Sequence, residues 1–365
     1  MVVRPLLPLN AGEITVSCFA RYVLFGLLVC VSGCSSRDDS AKKTWKAMGT
    51  FAEITVSGRD TQHLEEYASV AKETLSCLEN ILSIFKPDSE VSLVNQSAGK
   101  SPVAVSASTS EALGFALKYA ELSHGCFDPT VGPLVRLWGF NGGTVPEKPP
   151  DEAVIRSVLQ STGYRHLTVS NGQAYLDLTG MGVDLGGIAK GYAVDVCYRK
   201  LVAMNACNIM IDLGGNIRCG GFARGNRAWK IGVRNPFNRE EIIGTINLTD
   251  GMAVATSGNY ERFVTIGNQR YAHIMDPRTG YPVKGMAGVT VIGANAVETD
   301  GMSTALFVLG IKESQTILAR MKGCHALFIP DEQPITIYLS PGFRKYFDCL
   351  PAYADRLKEL PSQVE

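Results

Sequence analysis

Three short stretches of this 365-residue chain combine residue types that can do chemistry. In Asp184-Leu-Gly-Gly-Ile-Ala-Lys-Gly-Tyr-Ala-Val-Asp195, two adjacent glycines let backbone approach a ligand closely. A helix starting just after them would aim N–H groups and the positive end of its dipole at an anion, and Lys190 adds a point charge at the same place. The pattern suits a phosphate or nucleotide cradle, although it matches neither the P-loop nor the dinucleotide fingerprint, and it also occurs as a plain structural turn.

The second stretch is Glu298-Thr-Asp-Gly-Met-Ser-Thr304, followed by an apolar run to Gly310. Asp300 and Thr304 are four apart, so on a helix they share one face and offer a carboxylate and a hydroxyl to one point. Hard oxygen donors of this kind suit Mg²⁺ completed by substrate phosphate oxygens; the blander alternative is that Asp300 caps the helix N-terminus. The third stretch, Tyr271-Ala-His-Ile-Met-Asp-Pro-Arg-Thr-Gly-Tyr-Pro-Val283, sets a histidine at a strand end three residues before an Asp-Pro turn. Of the five histidines only His273 has such surroundings, which makes it the candidate acid–base group.

One regularity sets the first of these stretches beside two others. Leu176-Asp177-Leu-Thr-Gly180, Val183-Asp184-Leu-Gly-Gly187 and Ile211-Asp212-Leu-Gly-Gly215 each end a strand-like run with a carboxylate and a flexible turn, and for Asp177 an Asx-type turn accounts for the pattern.

The elements that must position these groups follow from periodicity. Residues 50–57 alternate like a strand, and 63–85 carry apolar residues at helical spacing (Leu64, Tyr67, Val70, Ala71, Leu75, Leu78, Ile81, Leu82). Further helices are expected over 108–123, 151–161, 188–202 and 303–321. Short β-rich runs recur at 167–170, 174–178, 208–212, 229–233, 242–248, 263–266, 288–292, 325–329 and 335–339, with no regular βα alternation. The expected fold class is therefore α+β, with a largely antiparallel sheet and flanking helices. The loop over 141–150 is too short to demand a split, so one catalytic domain is expected over 45–350, with a C-terminal tail over 351–365.

Composition narrows the class. With 45% hydrophobic and 19% charged residues the chain can bury a large core, and a formal net charge of +0 without basic runs excludes a nucleic-acid partner. Ahead of the domain, Arg21 precedes an apolar run from Tyr22 to Val31, shorter than the about 20 residues of a membrane span. This reads as a signal peptide over 1–33. Val31-Ser32-Gly33-Cys34 resembles a bacterial lipobox with Cys34 as the lipidated residue, and residues 34–44 read as a polar tether. The protein is thus expected outside the cytoplasm, lipid-anchored to a bacterial membrane and facing the periplasm. Three of the ten cysteines belong to this leader; none of the other seven forms a Cys-x-x-Cys pair, and contexts such as those of Cys77, Cys197 and Cys207 read as buried small hydrophobes.

The three chemical stretches do not stand alone. Together with Lys46-Ala-Met-Gly-Thr50, Phe85-Lys-Pro-Asp-Ser-Glu-Val-Ser-Leu-Val-Asn95, Phe127-Asp-Pro-Thr-Val-Gly-Pro-Leu-Val-Arg-Leu-Trp-Gly-Phe140 and Val254-Ala-Thr-Ser-Gly-Asn-Tyr260, they form seven ordered motifs over Met48 to Gly310. In these the chain resembles the FAD:protein FMN transferases, the ApbE-like flavin transferases. The resemblance implies an enzyme that binds FAD with Mg²⁺, cleaves its pyrophosphate, and attaches the FMN half by a phosphoester to a Thr or Ser of an acceptor flavoprotein subunit, releasing AMP. It implies flavin contacts at Met48, Phe85, Cys126, Phe127, Asp128, Asp184, Lys190 and Ile274, and metal contacts at Asp300, Thr304 and the backbone of Gly187. His273, Asp300 and Lys190 form the expected catalytic set, with Asp128 and Asp276 as rivals to His273 for the base. Without the resemblance, Met48 reads as a strand-start core residue and Phe85 as a helix-end one.

Departures from the pattern are Phe85 in place of a tyrosine, and Thr299 and Gly301 in place of alanines around Asp300. Two other activities fit the same residues: Mg²⁺-dependent hydrolysis of FAD to FMN and AMP, and FAD capture by a lipoprotein without chemistry. Asp300-Gly-Met-Ser-Thr-Ala305 distantly resembles the acceptor sequences of such enzymes, but Thr304 is already assigned to the metal, so self-modification is not expected.

Overall fold

A strand that alternates between water and interior needs one covered face, whereas a strand buried along its whole length needs cover on both. Both kinds occur in the computed structural model, which describes residues 40–142 and 144–362. The expected signal peptide, Cys34 and the start of the tether lie outside the described residues. Met286–Gly293, buried at all eight positions, is an interior strand of a nine-stranded sheet. In spatial order the strands are Ser40–Ala47, Thr50–Ser57, Ile209–Leu213, Asn216–Gly220, Ala253–Gly258, Met286–Gly293, His325–Pro330, Ile337–Leu339 and Leu357–Glu359. Every neighbouring pair is antiparallel except the last.

Among the described residues, seven α-helices accompany the sheets: α1 Leu64–Leu82, α2 Glu90–Gln96, α3 Ala107–Leu122, α4 Gly132–Leu137, α5 Glu152–Leu159, α6 Ala189–Ala203 and α7 Ala296–Arg320. Apolar residues of α1, α3, α6 and α7 pack on one face of the sheet, where they meet Ile54, Ile211, Val289, Val291 and Phe328. The other face, carrying Ile217, Val254, Ile292, Leu327 and Ile329, is covered by a three-stranded sheet of Trp229–Arg234, Ile242–Leu248 and Phe347–Cys349. Successive residues of His325–Pro330 therefore serve different cores, Ala326 and Phe328 one and Leu327 and Ile329 the other, as the two-residue period of a strand dictates. A third, smaller cluster around Trp138, Ile155, Tyr271 and Met275 joins α4 and α5 to the hairpin Phe263–Ile266 and Gln269–Ala272.

This is the α+β, mostly antiparallel single domain expected, but its limits differ. The sheet takes in residues 40–44, read as tether, and 357–359, read as tail. Ser40–Ala47 is an edge strand whose side chains alternate between exposed and half-buried, so charged residues are tolerated along it and its sequence looks like solvated linker. The seven cysteines of the described residues are free, but Cys77 is exposed and Cys207 only partly covered, contrary to the buried contexts expected for them.

Candidate active site

The site grows from the way two helices start. The loop before α6 is fixed from both sides: Asn95 donates Nδ2 to the Val183 carbonyl at 2.9 Å and accepts the Val183 N–H at 2.6 Å, and the Asp184 N–H donates to Pro129 O at 2.7 Å. Asp184 Oδ1 then accepts the Gly186 N–H at 2.7 Å, and Lys190 Nζ donates to Gly186 O at 2.9 Å. No side chain of the loop caps α6. Its cap comes instead from α7, because Asp300 Oδ2 accepts the Gly191 N–H at 2.8 Å. The reverse also holds: Asp195 on α6 accepts the N–H groups of Ala296 and Val297, at 2.9 and 2.8 Å, in the first turn of α7. Only glycine suits position 191, since a Cβ there would lie 2.2 Å from Ala296 O and 2.6 Å from Asp300 Cβ.

Asp300 is accordingly not the cap of its own helix, the blander alternative. That role belongs to Asn295, whose side chain accepts the Glu298 N–H. Helix α7 begins at Ala296, seven residues before the expected start at 303, which puts Asp300 in its second turn and Thr304 one turn further along the same face. Burial pushes the Asp300 carboxyl above the usual range, opposed by Lys190, whose Nζ stands 3.8 Å from Oδ1, and by the Gly191 N–H. Thr304 Oγ1 lies 3.3 Å from Ser257 Oγ, which is 2.9 Å from Ser303 Oγ. Gly187 packs against the same hydroxyl, for a Cβ on it would come within 3.1 Å of Thr304 Oγ1. Glycine 301 lies buried inside α7, with the Tyr119 ring 2.9 Å from where an alanine methyl would go; Thr299 donates its hydroxyl to Ala296 O at 3.1 Å. Both departures from the resemblance are thus locally accommodated.

The opposite wall is built from turns. Met48 and Gly49 form the two-residue turn of the first hairpin with φ of 49° and 71°, and the Met48 N–H donates to Glu79 Oε2 at 3.2 Å. Met48 is thus a turn residue in a left-handed conformation rather than a strand-start core residue. Phe85, expected in the core without the resemblance, is 64% exposed. Asp128 spends both carboxylate oxygens on its own loop: Oδ1 accepts from Thr130 N and Oγ1, Oδ2 from Tyr164 N. Asp276 likewise gives both oxygens to Arg278, at 2.9 and 3.0 Å. His273 differs. Its Nδ1 lies 3.1 Å from Arg262 O, which can only accept, so the proton sits on Nδ1 and the lone pair on Nε2. Burial, with Lys190 and Arg262 nearby, lowers this imidazole to about 4 and keeps it neutral.

Most of these groups meet in one cleft of about 580 Å³, within the range of a ligand-sized site. Met48, Phe85, Cys126, Phe127, Asp128, Asp184, Gly187, Lys190, His273, Ile274, Asp300 and Thr304 all line it; Asp276 does not. Glu79, Asn216, Ser257 and Arg262 line it as well and were missed in the sequence. Ser257 sits inside one of the seven motifs, whereas nothing marks Glu79 or Arg262 among ordinary surface charges. Of the three Asp-Leu-x-Gly turns, Asp184 and Asp212 each accept a glycine N–H, while Asp177 instead pairs with His166 at 2.9 Å. Among the described residues no three His, Cys, Asp or Glu stand together as a metal cluster. A cation here would therefore rely on one carboxylate, a hydroxyl, backbone and substrate oxygens, a donor set suited to Mg²⁺ rather than to zinc.

Fold and cleft together define an α+β protein with a ligand-sized cleft between two helix starts. Residues 48–328 match the model of the ApbE family, and the chain belongs to that family. It is 30% identical over 340 residues to the FAD:protein FMN transferase of Klebsiella pneumoniae (strain 342), covering 90% of this chain and 97% of the relative. The flavin transferase ApbE from Vibrio cholerae superposes with a TM-score of 0.77 at 29% identity, covering 84% of this chain and 99% of that one. The ApbE protein from Thermotoga maritima does so with a TM-score of 0.77 at 32% identity, with the same coverage.

Proposed function

We infer that the protein is an FAD:protein FMN transferase, which transfers the FMN half of FAD to a Thr or Ser hydroxyl of an acceptor protein and releases AMP. The observation that carries this reading is the meeting of α6 and α7: an N–H-rich glycine turn with Lys190 on one side, and the buried Asp300 with Thr304 on the other, in a cleft with an exposed aromatic, Phe85. The names borne by its relatives support the same activity.

Lys190 holds the nucleotide phosphates by charge, and the backbone of Gly186 and Gly187 allows them close approach. Phe85 offers a ring face to the flavin. Asp300, Thr304 and the Gly187 carbonyl would hold Mg²⁺, which when bound neutralises pyrophosphate charge. The acceptor oxygen forms a bond to the FMN phosphorus while the bond from that phosphorus to the oxygen of the departing AMP breaks. His273 Nε2 takes the acceptor proton, for which its free lone pair and neutral state at pH 7 equip it.

The test is intact-mass spectrometry of Thr-bearing acceptor polypeptides incubated with the protein, FAD and Mg²⁺. An added FMN with stoichiometric AMP is expected; AMP without any adduct would replace transfer by hydrolysis, and neither product would leave only FAD binding. The lipobox-like Val31-Ser32-Gly33-Cys34 further supports a lipid on Cys34 that holds the domain to a bacterial membrane on its periplasmic side. Radiolabelled fatty acid should enter the protein and fail to enter Cys34→Ser.

A further inference from the structure

Helix α7 is continuous in sequence but broken in the chain: Gly310 has φ 72° and ψ 178°, outside helical values. Nothing crowds the space of a Cβ there, so its backbone angle, not packing, calls for glycine. A break at this point leaves carbonyls of the preceding turn without their partners four residues on. Val308 O finds one in Arg278 Nη2, at 3.3 Å. The same guanidinium donates through Nε and Nη2 to the two oxygens of Asp276 at 2.9 and 3.0 Å, and through Nη1 to Glu313 at 3.2 Å beyond the break.

This places one planar, five-donor group across two parts of the site. On one side is the first half of α7, which carries Asp300 and Thr304, the latter one helical turn before Val308. On the other is the turn after His273, where Asp276 O also accepts the N–H groups of Thr279 and Gly280. His273, Ile274, Met275 and Pro277 reach the cleft from that segment. The cation also sits where the negative end of the first half-helix dipole emerges. A charge-only contact between exposed groups would be worth little, but the fork to a half-buried carboxylate fixes both distance and orientation.

We propose that Arg278 is a positioning residue, which sets the register of His273 against Asp300 and Thr304 by clamping Asp276 to the broken end of α7. It touches no substrate and acts through His273. The proposal rests on the transferase reading, in which His273 accepts the acceptor proton.

The test compares Arg278→Lys with the unaltered protein in the full chain, measuring AMP release and FMN attachment with FAD, Mg²⁺ and the Thr-bearing acceptor polypeptide that takes the label. Lysine keeps the charge but cannot bond both Asp276 oxygens and Val308 together. A displacement of about 1 Å costs on the order of 100-fold in rate, so kcat should fall about 10- to 100-fold while KM for FAD stays within about twofold. In a His273→Ala background the same change should cost less than about twofold, because the group it positions is gone. Should Arg278→Lys fail to fold, Asp276→Asn, which removes the charged acceptor of the fork, should give the same split. Glu313→Gln, whose amide oxygen can still accept from Arg278 Nη1 and which bonds neither Asp276 nor Val308, should leave kcat unchanged. Wild-type kcat in both clamp variants, losses that multiply with His273→Ala, or an equal loss in Glu313→Gln would each overturn the proposal while the unaltered protein still labels its acceptor. An unaltered protein that labels nothing would instead refute the transferase reading.

Discussion

Asp195 and Asp300 cap each other's helices: Asp195 on α6 accepts the first N–H groups of α7, and Asp300 on α7 accepts the Gly191 N–H of α6. The pairing makes the distance between Lys190 and the Asp300–Thr304 face a property of two hydrogen-bonded helix starts rather than of a loop. Arg218 joins it, with Nη1 2.7 Å from Asp195 Oδ1 and its guanidinium stacked 4.1 Å over the Tyr198 ring.

Removing Asp195 should therefore destabilise the fold as well as the site. Its side chain is 2% exposed, and Asp195→Ala would strand Arg218 and two helix N–H groups. Breaking one side of such a buried pair costs about 3–5 kcal/mol. Chemical denaturation at pH 7 measures this; a loss below about 1 kcal/mol would show that the mutual capping matters little.

Phe85 should matter to substrate and not to stability. At 64% exposure it contributes little to the core, so Phe85→Ala should leave the melting temperature nearly unchanged. Losing an aromatic face against a flavin, worth about 1–3 kcal/mol per stacked ring, should raise KM for FAD about 5- to 100-fold. Phe85→Tyr should retain wild-type KM. An unchanged KM in the alanine variant would place the flavin elsewhere in the cleft.

The pH profile should report the depressed imidazole of His273. With its proton affinity lowered to about 4, the group stays neutral, and competent as a base, throughout pH 5–8. Activity should be flat down to about pH 5 and fall towards pH 4. An acidic limb centred on 6.5, the ordinary histidine value, would contradict the buried placement.

Asp212 supplies a test through stability. Burial, with Glu53 directly opposite in the register, raises its carboxyl to about 6 against an unfolded value near 4. The folded form thus holds a proton that the unfolded chain has released, and this contribution, complete below pH 4, is lost as pH rises through 6. Asp212→Asn keeps an oxygen for the Gly215 N–H, which Asp212 accepts at 2.7 Å. It should gain about 1–2 kcal/mol relative to wild type at pH 7.5 and nothing at pH 4. A pH-independent difference would count against the raised carboxyl.

Much of this was legible in residue order. The fold class and most interior strands followed from periodicity, and Asp184, Lys190, His273, Asp300 and Thr304 from local pattern, whereas Met48, Phe85 and Cys126 stood out only through the resemblance to a family. What escaped depends on distant partners. Residues 40–44 looked like linker because an edge strand with half-buried side chains has no apolar alternation to betray it. Met48 was misread because a left-handed methionine breaks the usual rule for tight turns, and only Glu79, 31 residues on, shows what it is tied to. The start of α7 was set too late because its first turn takes N–H partners from Asp195, about a hundred residues earlier in the chain. Glu79 and Arg262 gain meaning only where the cleft closes around them.

The first hairpin has a consequence for how the molecule is made. Val56 lies beside Ile209, about 150 residues further along, and the opposite edge of the sheet waits for Leu357–Glu359 at the far end of the described chain. The first border cannot settle until Ile209–Leu213 has been synthesised, and the opposite one not until nearly all of the polypeptide has. Such distant pairing folds slowly. A slow-folding chain stays open for longer to whatever acts on unfolded polypeptide.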